Sequence, residues 1–172
     1  PPPEGAAMPF NIGDKAVYPK HGVGIIRDIT EMRLEGAAYK CYVLKILDNG
    51  MDVMVPVDNA DAKGMREVIP PDAVDRVYEV LRDRSAPTDK QTWNRRYREY
   101  SAKIQTGDPL EVAAVLRDLA MLKAEKQLSF GERKMYDEAH SLIVQELAVA
   151  RDTDEGTIKR EIDGIFVKPT VA

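Results

Sequence analysis

Tyr39-Lys40-Cys41-Tyr42-Val43-Leu44-Lys45-Ile46-Leu47, then Asp48-Asn49-Gly50, then Met51-Asp52-Val53-Met54-Val55-Pro56 is the stretch that decides the fold of the first half of the chain. Its first run alternates as a strand does, with Lys40, Tyr42, Leu44 and Ile46 on one side and Tyr39, Cys41, Val43, Lys45 and Leu47 on the other. Apolar residues stand on much of both sides, which suits a small barrel whose outer face is also covered. Asn49-Gly50 is the signal of a tight hairpin, whose central residues need positive φ. Met51 to Val55 returns as a partner strand and stops at Pro56, which lacks the N–H a ladder needs and so suits a strand end or an edge.

Working outward, the segment from Phe10 to about Glu67 has the same grammar. Ala16-Val17-Tyr18 is a short strand closed by Pro19 and the Gly22/Gly24 pair, and Val23 to Arg33 is a second strand, broken by Glu35-Gly36. This pattern predicts a five-stranded SH3- or Tudor-like barrel. Pro70-Pro71 ends it, and helical period follows. Val74, Val77, Tyr78 and Leu81 form one stripe, and Trp93, Tyr97, Tyr100 and Ile104 another, with Tyr97, Tyr100 and Ile104 placed to pack. Ala86-Pro87-Thr88-Asp89 separates these two helices. Gly107-Asp108-Pro109 reads as a stop and a new N-cap with Pro at the first helical position. Val112, Val115, Leu116 and Leu119 mark the third helix. Ser129 and Glu132 have capping-box spacing and open a long fourth helix, with Met135, Ala139, Leu142, Ile143 and Leu147 inside. A last segment from about Thr153 to Phe166 docks through Ile158, Ile162, Ile165 and Phe166. The expected class is therefore α+β: a small β-barrel over residues 8–68 and a compact helical domain over 71–166.

The 172 residues are 44% apolar and 31% charged, as in a globular protein. No apolar run approaches the roughly 20 residues that span a bilayer. Pro1 to Ala7 has neither the basic nor the apolar region of a secretory signal, so a cytoplasmic location is the expectation. One cysteine, Cys41, provides neither a disulfide nor a set of metal thiolates, and it sits mid-strand with no basic neighbour to make it nucleophilic. His21 stands in a glycine turn that lacks the Lys-Ser/Thr ending of a phosphate loop. His140 has no second histidine at ligand spacing. Asp152, Asp154 and Glu155 read as caps and solvated charge. No cofactor, metal or catalytic residue is expected.

Charge is more informative by segment than in total. The net charge of -4 argues against a simple basic DNA binder. Yet five bases (Lys90, Arg95, Arg96, Arg98, Lys103) face a single acid between Lys90 and Lys103, while Asp137 to Asp163 holds eight acids against three bases. The basic stretch encloses the only tryptophan, Trp93, with Tyr97 and Tyr100. Arginines beside an aromatic are the pairing expected where a protein grips phosphates and wedges a base step. The same stripe could equally be core, with the arginines as a solvated face.

Together these features resemble the CarD/CdnL family of bacterial transcription factors. The opening Asn11-Ile12-Gly13-Asp14-Lys15-Ala16-Val17-Tyr18-Pro19-Lys20-His21-Gly22-Val23-Gly24 carries the likeness, along with Thr92-Trp93-Asn94-Arg95-Arg96-Tyr97 and Leu128-Ser129-Phe130-Gly131-Glu132-Arg133-Lys134. The opening alone is shared with the transcription-repair coupling factor; both halves in this order point to CarD/CdnL. The resemblance implies a Tudor-like domain that docks on the β subunit of bacterial RNA polymerase through Met32, Met54 and Pro56. Some relatives have arginine at the two methionines, so an apolar edge-strand contact is expected here instead. It implies a helical domain whose Trp93 wedges into promoter DNA at the upstream edge of the bubble, with Arg95, Arg96 and Arg98 on phosphates, stabilising the open complex. No basic AT-hook-like run occurs, so weak DNA binding by the free protein is expected, along with a monomer that is nucleoid-associated through polymerase. The competing expectation is an adaptor that joins polymerase to another factor without touching DNA.

Overall fold

The computed structural model describes residues 10–85 and 92–167. Pro1 to Ala7, the Ala86-Pro87-Thr88-Asp89 break and Lys90 lie outside them. The chain divides into two compact units between Val68 and Ile69.

The first unit is one antiparallel sheet of β1 (Lys15–Tyr18), β2 (Gly22–Leu34), β3 (Ala37–Ile46), β4 (Asp52–Pro56) and β5 (Arg66–Glu67). The strand order is β4-β3-β2-β1-β5. Five strands were expected, but the sheet does not close into a barrel. The reason lies in its two ends. β4 runs into Pro56 and a 3-10 turn at Val57–Asn59, and β5 is only two residues long and pairs with Ala16 and Val17 of β1. β4 and β5 therefore remain the two edges.

The hairpins also differ from expectation. Between β2 and β3 the chain turns at Glu35 (φ 51°) and Gly36 (φ 80°), the two consecutive positive φ values of a two-residue turn. Between β3 and β4 only Gly50 is left-handed, at φ 70°. Asn49 instead accepts the Met51 N–H with its side-chain oxygen at 2.9 Å, giving a longer loop. Inside, Tyr42, Leu44 and Ile46 of β3 meet Ile26, Val55, Ala16, Ala60, Met65 and Phe10, whose ring stands edge-on to Tyr42 at 5.8 Å.

The second unit contains α1 (Val74–Arg82), α2 (Trp93–Gln105), α3 (Pro109–Glu125), α4 (Phe130–Ala150) and α5 (Glu155–Phe166). α3 is the central helix and touches the other four. Its Val112, Ala113, Val115, Leu116, Leu119 and Ala120 are all buried, as suits a helix enclosed on several sides. The caps follow the sequence signals. Asp108 accepts the Leu110 N–H at 2.9 Å ahead of Pro109, Ser129 and Glu132 form a capping box, and Asp154 accepts the Thr157 N–H at 2.7 Å. Tyr100 and Ile104 are buried, but Tyr97 is 51% exposed, contrary to the expectation that it packs inside. Its ring leans on Trp93 instead (64° between planes, 5.8 Å between centroids), so it caps the first turn rather than filling the core.

Candidate functional site

In an antiparallel sheet, residues directly opposite one another share a face. The register pairs Asp28 with Val43 and Val43 with Met54, Thr30 with Cys41 and Cys41 with Pro56, and Met32 with Tyr39. Met32, Met54 and Pro56 thus come together on the face opposite the Tyr42-Leu44-Ile46 core. Cys41 and Val43 lie between them and are themselves buried. Met54 and Tyr39 are exposed, and Met32 and Pro56 half-buried. The result is an apolar surface beside the open edge of β4. That edge offers backbone N–H and C=O groups to any strand laid against it.

In the helical unit, Trp93 is the first residue of α2 and half-buried against the core. Its ring backs onto Gly131 in the first turn of α4. A Cβ on Gly131 would come within 3.3 Å of the indole Cζ2 and 3.4 Å of Nε1, so the missing side chain is the ring's seat. On the Trp93 side, the Arg96 guanidinium lies 5.7 Å from the ring centroid, a cation–π distance. Arg96 is one helical turn on from Trp93, where i,i+3 side chains meet.

Arg96 is anchored in turn by Glu132, a buried acid. The Oε1 atom of Glu132 accepts the Ser129 N–H at 2.9 Å and the Lys126 Nζ at 3.0 Å. Its Oε2 lies 3.7 Å from Arg96 Nη2. Burial pushes the Glu132 carboxyl up, but the Ser129 N–H and the Lys126 ammonium outweigh it, and the group is held below the ordinary carboxylate value. The site therefore keeps a buried carboxylate beside Arg96.

The basic run read along the sequence is split by the helix. At roughly 100° per residue, Arg95 and Arg98 lie about 140° to 200° round α2 from Trp93. Both are exposed, and no ion pair within the described residues holds either. Arg96 alone shares the Trp93 side, and it is turned inward. A different set of exposed groups stands at the start of α4, the helix on which the ring rests. Phe130, beside Gly131, is 84% exposed, and Arg133 and Lys134, three and four residues further along α4, share its face. Sequence reading did not single out these three as candidates. Their signal was a phenylalanine inside a polar, cap-bearing first turn, where no apolar stripe calls for one.

The family model described as "CarD-like/TRCF RID domain" matches residues 10–69, and that described as "CarD, C-terminal domain" matches residues 76–163. Over 154 residues the chain is 35% identical to the "Putative transcription factor YdeB" of Bacillus subtilis (strain 168), covering 87% of this chain and 97% of that one. The chain belongs to the CarD/CdnL family. A solved structure titled "CdnLNt from Myxoccoccus xanthus" is 45% identical and covers 35% of this chain and 84% of its own, with a TM-score of 0.30.

This CarD/CdnL chain is accordingly a transcription regulator that interacts with RNA polymerase, in a family of transcription factors rather than enzymes. Its reactive side chains have ordinary tasks. Burial pushes the Cys41 thiol up, away from the nucleophilic thiolate. The His21 ring lies tilted at 37° to that of Tyr18, 5.3 Å between centroids, while its backbone N–H donates to the Tyr18 carbonyl. His140 stacks on Tyr136 at 5.8 Å and holds Asp163 of α5 at 3.0 Å. Among the described residues no helix is long and apolar enough to cross a membrane, and no three His, Cys, Asp or Glu side chains gather as metal ligands.

Proposed function

We propose that the sheet unit docks on the β subunit of bacterial RNA polymerase, one monomer per enzyme, while the helical unit sets Trp93 against promoter DNA at the upstream edge of the bubble and stabilises the open complex. The supporting observation is a half-buried tryptophan at a helix start, seated on a bare glycine in the first turn of a helix whose opening residues include exposed Phe130, Arg133 and Lys134. Apolar wedges that part base steps need such a rigid seat, with cations near the phosphates. Arg95 and Arg98, on the far side of α2, supply a second cationic surface for the flanking backbone.

The Met32, Met54 and Pro56 face and the free edge of β4 supply the polymerase contact. A strand added to that edge would gain main-chain hydrogen bonds, with the apolar side chains giving the fit. With a net charge of -4, the free protein should hold duplex DNA weakly. Docking raises the local concentration enough for a weak DNA contact to matter. By linkage, a protein that prefers the melted promoter shifts the equilibrium toward melting.

The test is open-complex lifetime on a ribosomal-type promoter with wild type and Trp93→Ala at saturating, matched polymerase occupancy. A wedge contributing about 1.4 kcal/mol gives an approximately tenfold shorter lifetime for the variant. An unchanged lifetime with polymerase binding intact would sink the reading.

A further inference from the structure

We infer that Glu132 is a positioning residue for Trp93, acting through Arg96, so that Arg96 orients the ring rather than gripping a phosphate. The inference rests on the reading of Trp93 as the DNA-facing group. What carries it is an accounting of polar atoms. A capping box asks only one oxygen of its acid, and Glu132 Oε1 already serves Ser129 and Lys126. Glu132 Oε2 is buried with no hydrogen-bond partner among the described residues, and so is Arg96 Nε. The two groups approach to 3.7 Å between Oε2 and Nη2. The Arg96 side chain is only 14% exposed. A buried carboxylate oxygen without a partner is costly, and the nearest relief within the described residues is this guanidinium.

The consequence falls on the ring. Arg96 is kept over Trp93 by an acid that follows directly on Gly131, the residue the ring rests on. One short segment, Gly131-Glu132, therefore supplies both the seat and, through Arg96, the cation that faces the ring. An arginine free to reach DNA would need to leave this pair and expose Oε2 to an unpartnered interior. The outward cations Arg95, Arg98, Arg133 and Lys134 carry no such obligation.

Trp93 is the only tryptophan, so its emission, acrylamide quenching and anisotropy in the free full-length protein report this site alone. Glu132→Gln keeps an acceptor for the cap and removes the charge, and circular dichroism verifies that the helices persist. Glu132→Gln and Arg96→Gln should each raise the displaced fraction of Trp93 about two- to fivefold, the change that corresponds to losing roughly 0.5–1 kcal/mol of cation–π contact. Arg96→Lys, which keeps the charge but not the planar fork, should restore part of the loss.

The second readout is the log–log salt slope of promoter binding by the polymerase-bound protein. Positioning leaves that slope unchanged in Arg96→Gln, whereas losing a phosphate contact lowers it by about 0.9. An unmoved Trp93 signal in a folded Glu132→Gln protein overturns the inference, and so does a lowered slope in Arg96→Gln. A displaced ring with an unchanged open-complex lifetime would support the positioning role and sink the wedge reading, so the two failures are separable.

Discussion

The sheet face that carries Met54 and the corner that carries Trp93 both offer apolar groups to a partner, but they are built by opposite means. On the sheet, backbone register alone brings Met32, Met54 and Pro56 to one side, and no buried charge is involved. At the corner, one ring is fixed by a glycine seat, an edge-on tyrosine and a guanidinium held by a buried acid, contributed by two helices. A register set by pairing is all or nothing, because a one-residue slip sends every side chain to the other face. The corner can be altered one group at a time while the fold stands. Damage to the core that sets the register behind the sheet face should therefore arrive as lost stability, and damage to the corner as lost orientation.

The largest expected effect tests the first half of that contrast. Leu44 is fully buried behind the face proposed to dock. Leu44→Ala should destabilise the sheet unit by about 2–5 kcal/mol and weaken polymerase binding with it. Trp93 reports only the helical unit, so its denaturation midpoint should hold still while far-ultraviolet circular dichroism shows an earlier transition. Leu119→Ala, in the centre of α3, should produce the reverse pattern. A Trp93 midpoint that moves with Leu44→Ala would break the picture of two units with separate cores.

The same contrast explains what could be read from the sequence. Period-2 alternation fixed the two faces of β3 because pleating leaves no other choice, and the Tyr42-Leu44-Ile46 core follows from it. The caps at Asp108 and Ser129 were legible because they are satisfied locally, within three residues. Closure of the sheet was not legible: it depends on whether β4 and β5 meet, and a two-residue strand leaves almost no sequence signal. Nor were the separate surroundings of the three arginines. Arg95, Arg96 and Arg98 are chemically identical, and only their angles round α2 and the distant Glu132 distinguish them. Tyr97 shows the same limit, since its stripe position was right for packing but its ring leans on Trp93 and stays half-exposed.

The next largest effect should come from Met54→Asp, which puts a charge in the middle of the apolar face at an exposed position. Polymerase affinity should fall about tenfold, as for a contact contributing about 1.4 kcal/mol. The unfolding midpoint should move little, since exposed substitutions stay within about 0.5 kcal/mol. Binding measured by fluorescence anisotropy of labelled protein would decide it, and an unchanged affinity would remove Met54 from the docking face.

Gly131→Ala divides orientation from stability more finely. In the first turn of α4 an alanine gains up to about 1 kcal/mol of helix propensity over glycine. Its Cβ would stand 3.3 Å from the Trp93 ring, so the ring must shift by a few tenths of an ångström. The protein is therefore expected to be no less stable than wild type, yet to show altered Trp93 quenching and a shorter-lived open complex. A variant with wild-type Trp93 emission would mean the ring does not depend on that seat.

The smallest effect lies away from both surfaces and asks whether the helical unit's other polar contacts stay local. Tyr78 of α1 donates to Glu161 of α5 at 2.6 Å, and Arg151 holds the same carboxylate at 2.6 Å. Burial and the Glu161 hydrogen bond push the Tyr78 phenol from its ordinary value up to about 12. A folded-state value above the unfolded one means the protonated phenol is favoured by folding. Its contribution is therefore complete below about pH 10, where the unfolded tyrosine still keeps its proton. It fades as pH rises from there through about 12. Helical-unit stability should accordingly decline across that alkaline window in wild type, and Tyr78→Phe should decline less steeply from a lower starting value. Trp93 emission at pH 8 should be the same in both proteins, because the Tyr78 contacts join α1 to α5 and none of them reaches the α2–α4 corner. A shifted Trp93 signal in Tyr78→Phe would show that the corner is coupled to the whole helical unit, and the contrast with the sheet face would then be one of degree.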